Sequence, residues 1–457
     1  MSTSATPTTG TADGAAAPAG NPRGRVVVAS LIGTSIEFYD FYIYATAASL
    51  VFPALFFPNA QDPTTQLLSS FAVFGVAFVA RPVGSVLFGH FGDRIGRKTT
   101  LVASLLTMGI ATVLIGLIPA ASTPGWALAA PAVLVLCRFA QGLGLGGEWS
   151  GAALLATENA PQGKRAIYGT FPQLGAPIGF ILANTVFIAL STALSPEQFA
   201  DWGWRIPFLA SAVLVIIGLW VRLSLLETPA FRKVLEAEAV TKVPVARVFR
   251  TSWKQIVSGT FIMLATYVLF YLMTTFTLNY GVAPTEPTDG SPTGLGYEKI
   301  DFLWMLIIGV VFFGIFTLVS GPMAERFGRR KHLIWVTAAI ILFGGSFVPL
   351  FAAGDVGVQT LLILGFTLMG LTFGPMAAVL PELFPANVRY TGSGVAYNLS
   401  SVLGAAVAPF IAVWLWAQAG SPVLVGVYLS AMAVITLVAL LLTRETRDVE
   451  YEENVAA

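Results

Sequence analysis

Four ionisable residues stand inside long apolar runs: Glu37 and Asp40 in the run that begins at Val26, Arg81 in the next, and Arg138 in the run that begins near Leu128. A charge in apolar surroundings costs several kcal/mol, so each one marks a functional candidate. Proton exchange is the chemistry these types support. A carboxylate beside a guanidinium resists protonation, whereas desolvation favours its neutral form. A contact that opens and closes would therefore make Asp40 release and accept a proton in turn. Glu37 lies one helical turn away, on the face of Asp40, and could relay or share that proton. The competing reading is a static ion pair that fixes packing, although buried pairs are weak contributors to stability. Arg81 precedes Pro82, which frees a backbone carbonyl; the guanidinium suits either an anionic ligand or a kink. Glu148 follows Gly146 and Gly147 and suits a gating or structural role.

Other chemistries find little to work with. The two histidines, His90 and His332, sit at the edges of basic loops, and no nucleophile–base or metal constellation is legible. The one cysteine, Cys137, excludes an intramolecular disulfide framework. The net charge of +1 points to no nucleic-acid partner, and no cofactor is called for.

The elements that must position these charges are spans. The chain is 56% hydrophobic and 11% charged, with a mean hydropathy of +0.77; soluble domains carry roughly 25% charged residues. Crossing a bilayer takes about 20 mostly apolar residues. The sequence predicts twelve spans: 26–52, 67–90, 99–120, 128–156, 168–192, 206–226, 254–281, 302–322, 332–352, 358–381, 392–418 and 422–443. Residues 1–22, rich in Thr, Ala, Gly and Pro, read as a disordered tail. No cleavage site follows the first run, which is read as a span rather than a removed signal. With both termini cytoplasmic, every Lys and Arg falls on the cytoplasmic side except Arg205, Lys299, Arg81 and Arg138. That obeys the positive-inside rule loop by loop. Depth then selects a pair. Asp40 lies ~21 Å along the first span at 1.5 Å per residue, ~9 Å below the outer surface of a ~30 Å core. Arg138 lies ~12 Å below that surface, so the two are expected to meet.

The chain also repeats itself. GHFGDRIGRK at 89–98 matches GPMAERFGRR at 321–330: Gly89 with Gly321, Asp93 with Glu325, Arg94 with Arg326, Gly96 with Gly328 and Arg97 with Arg329. ENAPQGKR at 158–165 and ELFPANVR at 382–389 share Glu-x-x-Pro-x-x-x-Arg spacing. Two motifs recurring in corresponding loops imply a duplicated six-helix unit. Glu158 and Glu382, with Arg165 and Arg389, are placed to form charge-assisted bonds with the loop arginines. Such a network would close one side of the molecule in one state and break in the other.

These loops resemble the major facilitator superfamily. Within it, EFYDFYIY at 37–44, ARPVGSVLFGHFGDR at 80–94, RFAQGLGLGGEWSGAALL at 138–155, WGWRIPF at 202–208 and ETPAF at 227–231 are similar to the metabolite:proton symporter family, whose members carry shikimate, α-ketoglutarate, citrate or proline and betaine. LVASLLTMGI, ALLATENAP and LTFGPMAAVLPELFP look most like its shikimate-transporter branch and an enteric inner-membrane metabolite transporter. The resemblance runs from about Arg25 to Arg447. It implies neighbouring first and fourth helices. In related sugar–proton symporters an aspartate and an arginine face each other at positions that Asp40 and Arg138 resemble. The linking loop is short and no heptad coiled coil follows the last span, so osmosensing is not implied.

The expectation is an all-α polytopic membrane protein with twelve transmembrane helices in two pseudo-symmetric six-helix bundles, 23–226 and 254–443, joined by a linker at 227–253 and followed by a tail at 444–457. It sits in the bacterial inner membrane as a monomer with lipid around it. Proton coupling falls to Asp40, Glu37 and Arg138. Solute contacts fall to Arg81, Tyr44, Gln173, Asn184, Tyr267, Tyr271, Asn279, Tyr397 and Asn398. Gating falls to Gly89, Asp93, Arg94, Gly96, Arg97, Glu148, Glu158, Arg165, Glu325, Arg326, Arg329, Glu382 and Arg389. The implied activity is import of a small organic acid or related polar metabolite with protons by alternating access. Uniport, or export by proton antiport, fits the same scaffold; a non-transporting receptor would usually append a signalling domain.

Overall fold

A computed structural model describes residues 23–60, 62–95, 97–223, 249–287, 292–385 and 388–449. Side chains at 23, 25, 26, 89–101 and 222 lie outside the described set, as do the tail at 1–22 and nearly all of the expected linker.

The described residues form helices and no strand, as bilayer-spanning backbone requires when every peptide group must be bonded internally. Twelve helical segments follow in order: α1 Arg23–Leu50, α2 Pro63–Ile95, α3 Arg97–Leu117, α4 Ala129–Glu158, α5 Arg165–Ala193 and α6 Arg205–Leu223; then α7 Trp253–Val282, α8 Lys299–Phe327, α9 Arg329–Gly344, α10 Gly354–Glu382, α11 Arg389–Ala419 and α12 Val423–Leu442. Eight of them are long and apolar enough on their own to cross a membrane. The others are shortened or interrupted: α1 carries Glu37 and Asp40, α3 counts only from Val102, and α9 stops at Gly344 before the short helix Phe347–Phe351. A second short stretch, Pro196–Gly203, leads into α6 at a 45° bend.

Several spans are broken near mid-length. α4 breaks at Gly147, α5 at Leu174 just after Pro172, and α10 at Gly374 and Pro375. In α7 and α11 the backbone widens into π-type turns at Leu272–Phe276 and Ser401–Ala406, a feature frequent at functional sites.

The duplication is visible in the packing. In the first half α1 packs on α5 and α6, α2 on α4, and α3 on α6; in the second, α7 packs on α11 and α12, α8 on α10, and α9 on α12. Adding six to each label maps one half onto the other. The halves meet through α2 with α11 and α8 with α5, a pairing that obeys the same exchange. The tightest approach inside a half is α2 against α4. A Cβ at Gly142 would run into the Ala77 carbonyl, and one at Gly146 into the Arg81 carbonyl. Small residues that let two backbones touch are how membrane helices gain van der Waals contact without hydrophobic drive. Ser104 of α3 donates to the Gly144 carbonyl on the same stretch. Outward faces are apolar: Leu136, Ile216, Trp220, Ile308, Leu342 and Leu442 are exposed.

Candidate functional site

Asp40 lies on α1 with 1% of its surface exposed. Ser211 of α6 donates to Oδ1 at 2.6 Å and Thr112 of α3 to Oδ2 at 3.2 Å. The expected contact with Arg138 is not made. Arg138 Nη1 donates instead to Gln141 Oε1 at 2.7 Å, and Gln141 Nε2 donates to Thr112 at 2.7 Å. Two neutral side chains thus stand between the charges. Depth along a helix selects a height but not a direction around the helix axis, and it is the direction that separates the two residues. Gln141, one turn on from Arg138, takes up one arm of the guanidinium. The other arm donates to the Phe74 carbonyl at 3.2 Å, and the Tyr44 ring lies 3.8 Å beneath the guanidinium carbon. Glu37 is buried as well, and its charge acts on Tyr42 and Tyr397.

Arg81 defines a second neighbourhood. It is 6% exposed, its guanidinium carbon 4.9 Å from the Phe41 ring and 4.7 Å from the Phe78 ring. Its Nε is buried without a hydrogen-bond partner. Its charge acts on Tyr42 of α1 and on Tyr267, Tyr271 and Tyr397 of the other half. Tyr271 packs on Phe41, Phe74 and Phe78, tying α7 to α1 and α2. Tyr397 stacks on Trp149 at 3.9 Å with planes 5° apart, and lies 5.3 Å from Tyr267. Trp149 donates to Gln173, and Gln173 to the Phe373 carbonyl across the halves. Asn398 reaches the Gly146 carbonyl at 2.9 Å. The hydroxyls of Tyr42 and Tyr44 are buried without partners.

Of the nine solute candidates, the structure brings Arg81, Gln173, Tyr267, Tyr271, Tyr397 and Asn398 to the seam between halves, whereas Tyr44 lies within the first half against Phe52, Phe74 and Arg138. Asn184 is elsewhere: it accepts from Thr46 at 3.0 Å and bonds Phe180, clasping α1 to α5. Asn279 bonds Thr275 and reaches across the halves to Ser49 of α1 at 3.3 Å, at the α7 end away from the basic loops. Sequence reasoning missed Trp149, Tyr42, Gln141, Thr112 and Ser211. The i, i+3 spacing of Arg138 and Gln141 was a usable signal; Thr112 and Ser211 are ordinary hydroxyls of apolar helices and carried none.

The second candidate region is the end of the bundle that carries the basic loops. Arg329 holds Glu325 through both nitrogens, at 2.7 and 3.1 Å, and Glu382 at 3.3 Å. Glu325 also accepts the backbone N–H of Ala166 at 2.7 Å, in the first turn of α5 and the other half. Helix N-termini favour negative charge there. The segment after α12 joins in. Glu445 accepts the N–H groups of Arg329 and Arg330, Thr446 donates to Glu382 at 2.8 Å, and Arg165 donates to the Val449 carbonyl at 2.5 Å. Beneath these bonds Ala166, Ala324 and Ala378 pack as one buried cluster from both halves. Tyr390 donates to the Gly147 carbonyl at 2.5 Å, next to buried Glu148. Arg389 donates to the Phe384 carbonyl within its own half, Glu158 ends α4, and Arg326 lies over the Phe327 ring. Gly321 and Gly328 flank Glu325; Gly96 and the side chains at Gly89, Asp93, Arg94 and Arg97 lie outside the described residues.

Two six-helix halves with apolar outer faces, meeting over buried charges and aromatics, define a membrane carrier. A profile described as the Major Facilitator Superfamily matches residues 30–409 and 294–456, and the chain belongs to that family. It is 58% identical to the inner membrane metabolite transport protein YhjE of Escherichia coli (strain K12), over 93% of this chain and 95% of that protein. It is 36% identical to the shikimate transporter of the same organism, over 93% and 95%, and 32% identical to the proline/betaine transporter of Salmonella typhimurium, over 93% and 84%. Among solved structures the proton:xylose symporter XylE superposes with a TM-score of 0.73 at 17% identity, covering 93% of this chain and 96% of that one; at that identity it speaks for the fold alone.

Proposed function

We propose that this metabolite transporter carries a small organic acid, or a related polar metabolite, together with protons by alternating access, with both termini on the cytoplasmic side of a bacterial inner membrane. The observation that carries the reading is Arg81. It is a guanidinium in the seam between halves, flanked by two phenyl rings, with a buried Nε that no protein group satisfies. A carboxylate can bond that edge bidentately, while the rings and tyrosines around it suit the body of a small hydroxylated acid. Asp40 supplies a buried carboxylate for the proton, and each proton moving inward through 100 mV yields about 2.3 kcal/mol. The shikimate transporter among the relatives handles a solute of this chemical kind.

Uptake of radiolabelled organic acids into cells expressing the chain tests it. Accumulation that collapses with an uncoupler, ignores sodium and is lost in Asp40→Asn supports symport. Uptake unaffected by the proton gradient sinks it in favour of uniport.

A further inference from the structure

Asp40 and Arg138 are separated by groups whose hydrogen bonds all run one way. A guanidinium has only donors, so the Gln141 atom facing Arg138 must be its oxygen and its nitrogen must face Thr112. That nitrogen occupies one lone pair of Thr112 Oγ1 and leaves the hydroxyl one hydrogen to give. Two acceptors compete for it: Asp40 Oδ2 at 3.2 Å and the Met108 carbonyl at 3.0 Å. All four side chains are at most 1% exposed. An ionised carboxylate is the stronger acceptor, so it draws the hydroxyl towards Asp40. A protonated Asp40 has its own O–H to donate, and the hydroxyl then turns to Met108.

We infer that Thr112 and Gln141 form a link that stands between Asp40 and Arg138: Thr112 reads the carboxyl through its hydroxyl, and Gln141 holds the guanidinium off it. This rests on the proton-coupled reading above and adds two neutral positioning residues to it. The proton binds Asp40 Oδ2, the Thr112 hydrogen turns from that oxygen to the Met108 carbonyl, and no bond to Gln141 or Arg138 is made or broken covalently. When the proton leaves, the hydroxyl returns. If Gln141 lets go, Arg138 moves onto the carboxylate and seals it ionised.

Among the described residues, few ionisable groups lie on the elements packed around Asp40. α1 brings Tyr39, whose hydroxyl donates to the Pro207 carbonyl, and Glu37 one turn away. α3 and α6 bring neutral Thr112 and Ser211, and Arg205 of α6 is bound to the Gly116 and Ile118 carbonyls. Arg165 of α5 is on Val449, and Arg81 of α2 lies between Phe41 and Phe78.

Infrared difference titration of the purified protein follows the carboxyl band, with Asp40→Asn assigning it; no solute is needed. Gln141→Leu frees Arg138 to approach and is expected to move the midpoint to lower pH by about one unit, a tenfold change in proton binding. Thr112→Val removes a donor to the carboxylate and moves it to higher pH, whereas Thr112→Ser keeps the hydroxyl and titrates as the parent does. Should Gln141→Leu not fold by thermal shift, Gln141→Met replaces it. Unshifted midpoints, shifts of one sign in both variants, or an Asp40 band that never titrates overturn the link. Shifted midpoints without proton-driven uptake sink the coupling reading alone; uncoupler-sensitive uptake with unshifted midpoints sinks the link alone.

Discussion

A guanidinium between two phenyl rings gains roughly 0.5–2 kcal/mol from the ring faces, yet Arg81 keeps its buried Nε–H unsatisfied. A ligand carboxylate arriving there removes a desolvation penalty as well as making bonds. Arg81→Gln is therefore expected to raise KM for an acidic solute at least tenfold with a thermal midpoint close to that of the parent; a change in kcat alone would argue against direct binding. Tyr44 makes the complementary case. Its hydroxyl has no partner, and a buried unsatisfied group costs about 1–3 kcal/mol, while its ring supports Arg138 from 3.8 Å. Tyr44→Phe keeps the ring and should leave the melting temperature equal or higher; a fall of several degrees would mean that the hydroxyl has a partner in the folded protein. The charges at this scale were legible because an ionisable residue among apolar ones stands out. The neutral hydrogen-bonding groups that connect them were not, because Thr112 and Ser211 look like any hydroxyl in a membrane helix.

At the scale of elements, α2 and α4 approach until backbone meets backbone at Gly142 and Gly146. Overpacking a tight contact costs about 1–3 kcal/mol, so Gly142→Ala and Gly146→Ala should each lower the melting temperature in detergent. Gly314→Ala is the control, since its added methyl would meet only ordinary contact with Pro177. Equal effects at all three sites would show that the glycines serve something other than close approach. All twelve helices were legible, because a bilayer demands long apolar runs and the basic loops punctuate them. The breaks after Pro172 and at Gly374 carried their own signals. The wide turn of α7 did not: LMTTF contains neither glycine nor proline, and it follows directly on Tyr271, which packs on Phe74 and Phe78 of the first half.

At the scale of the molecule, the duplicated loops showed two halves, but 444–457 read simply as a tail. Its polar residues have no periodicity that would place Thr446 on Glu382 or Val449 on Arg165. Arg329 is the centre of that bond network, held by two carboxylates of its own half, one of which also holds the start of α5. Breaking a buried pair leaves charge uncompensated, so Arg329→Ala should favour the state open at this end. A cysteine placed at buried Ala378 is then expected to react with maleimide several-fold faster in that background; unchanged labelling would remove Arg329 from the gate. The same stitching constrains the order in which the protein is made. Arg165 leaves the ribosome 284 residues before Val449, about 15–60 s at synthesis rates of roughly 5–20 residues per second. The first half is therefore in the membrane before its seam is covered, and Arg81 waits for Tyr267 and Tyr271 of α7 and Tyr397 of α11.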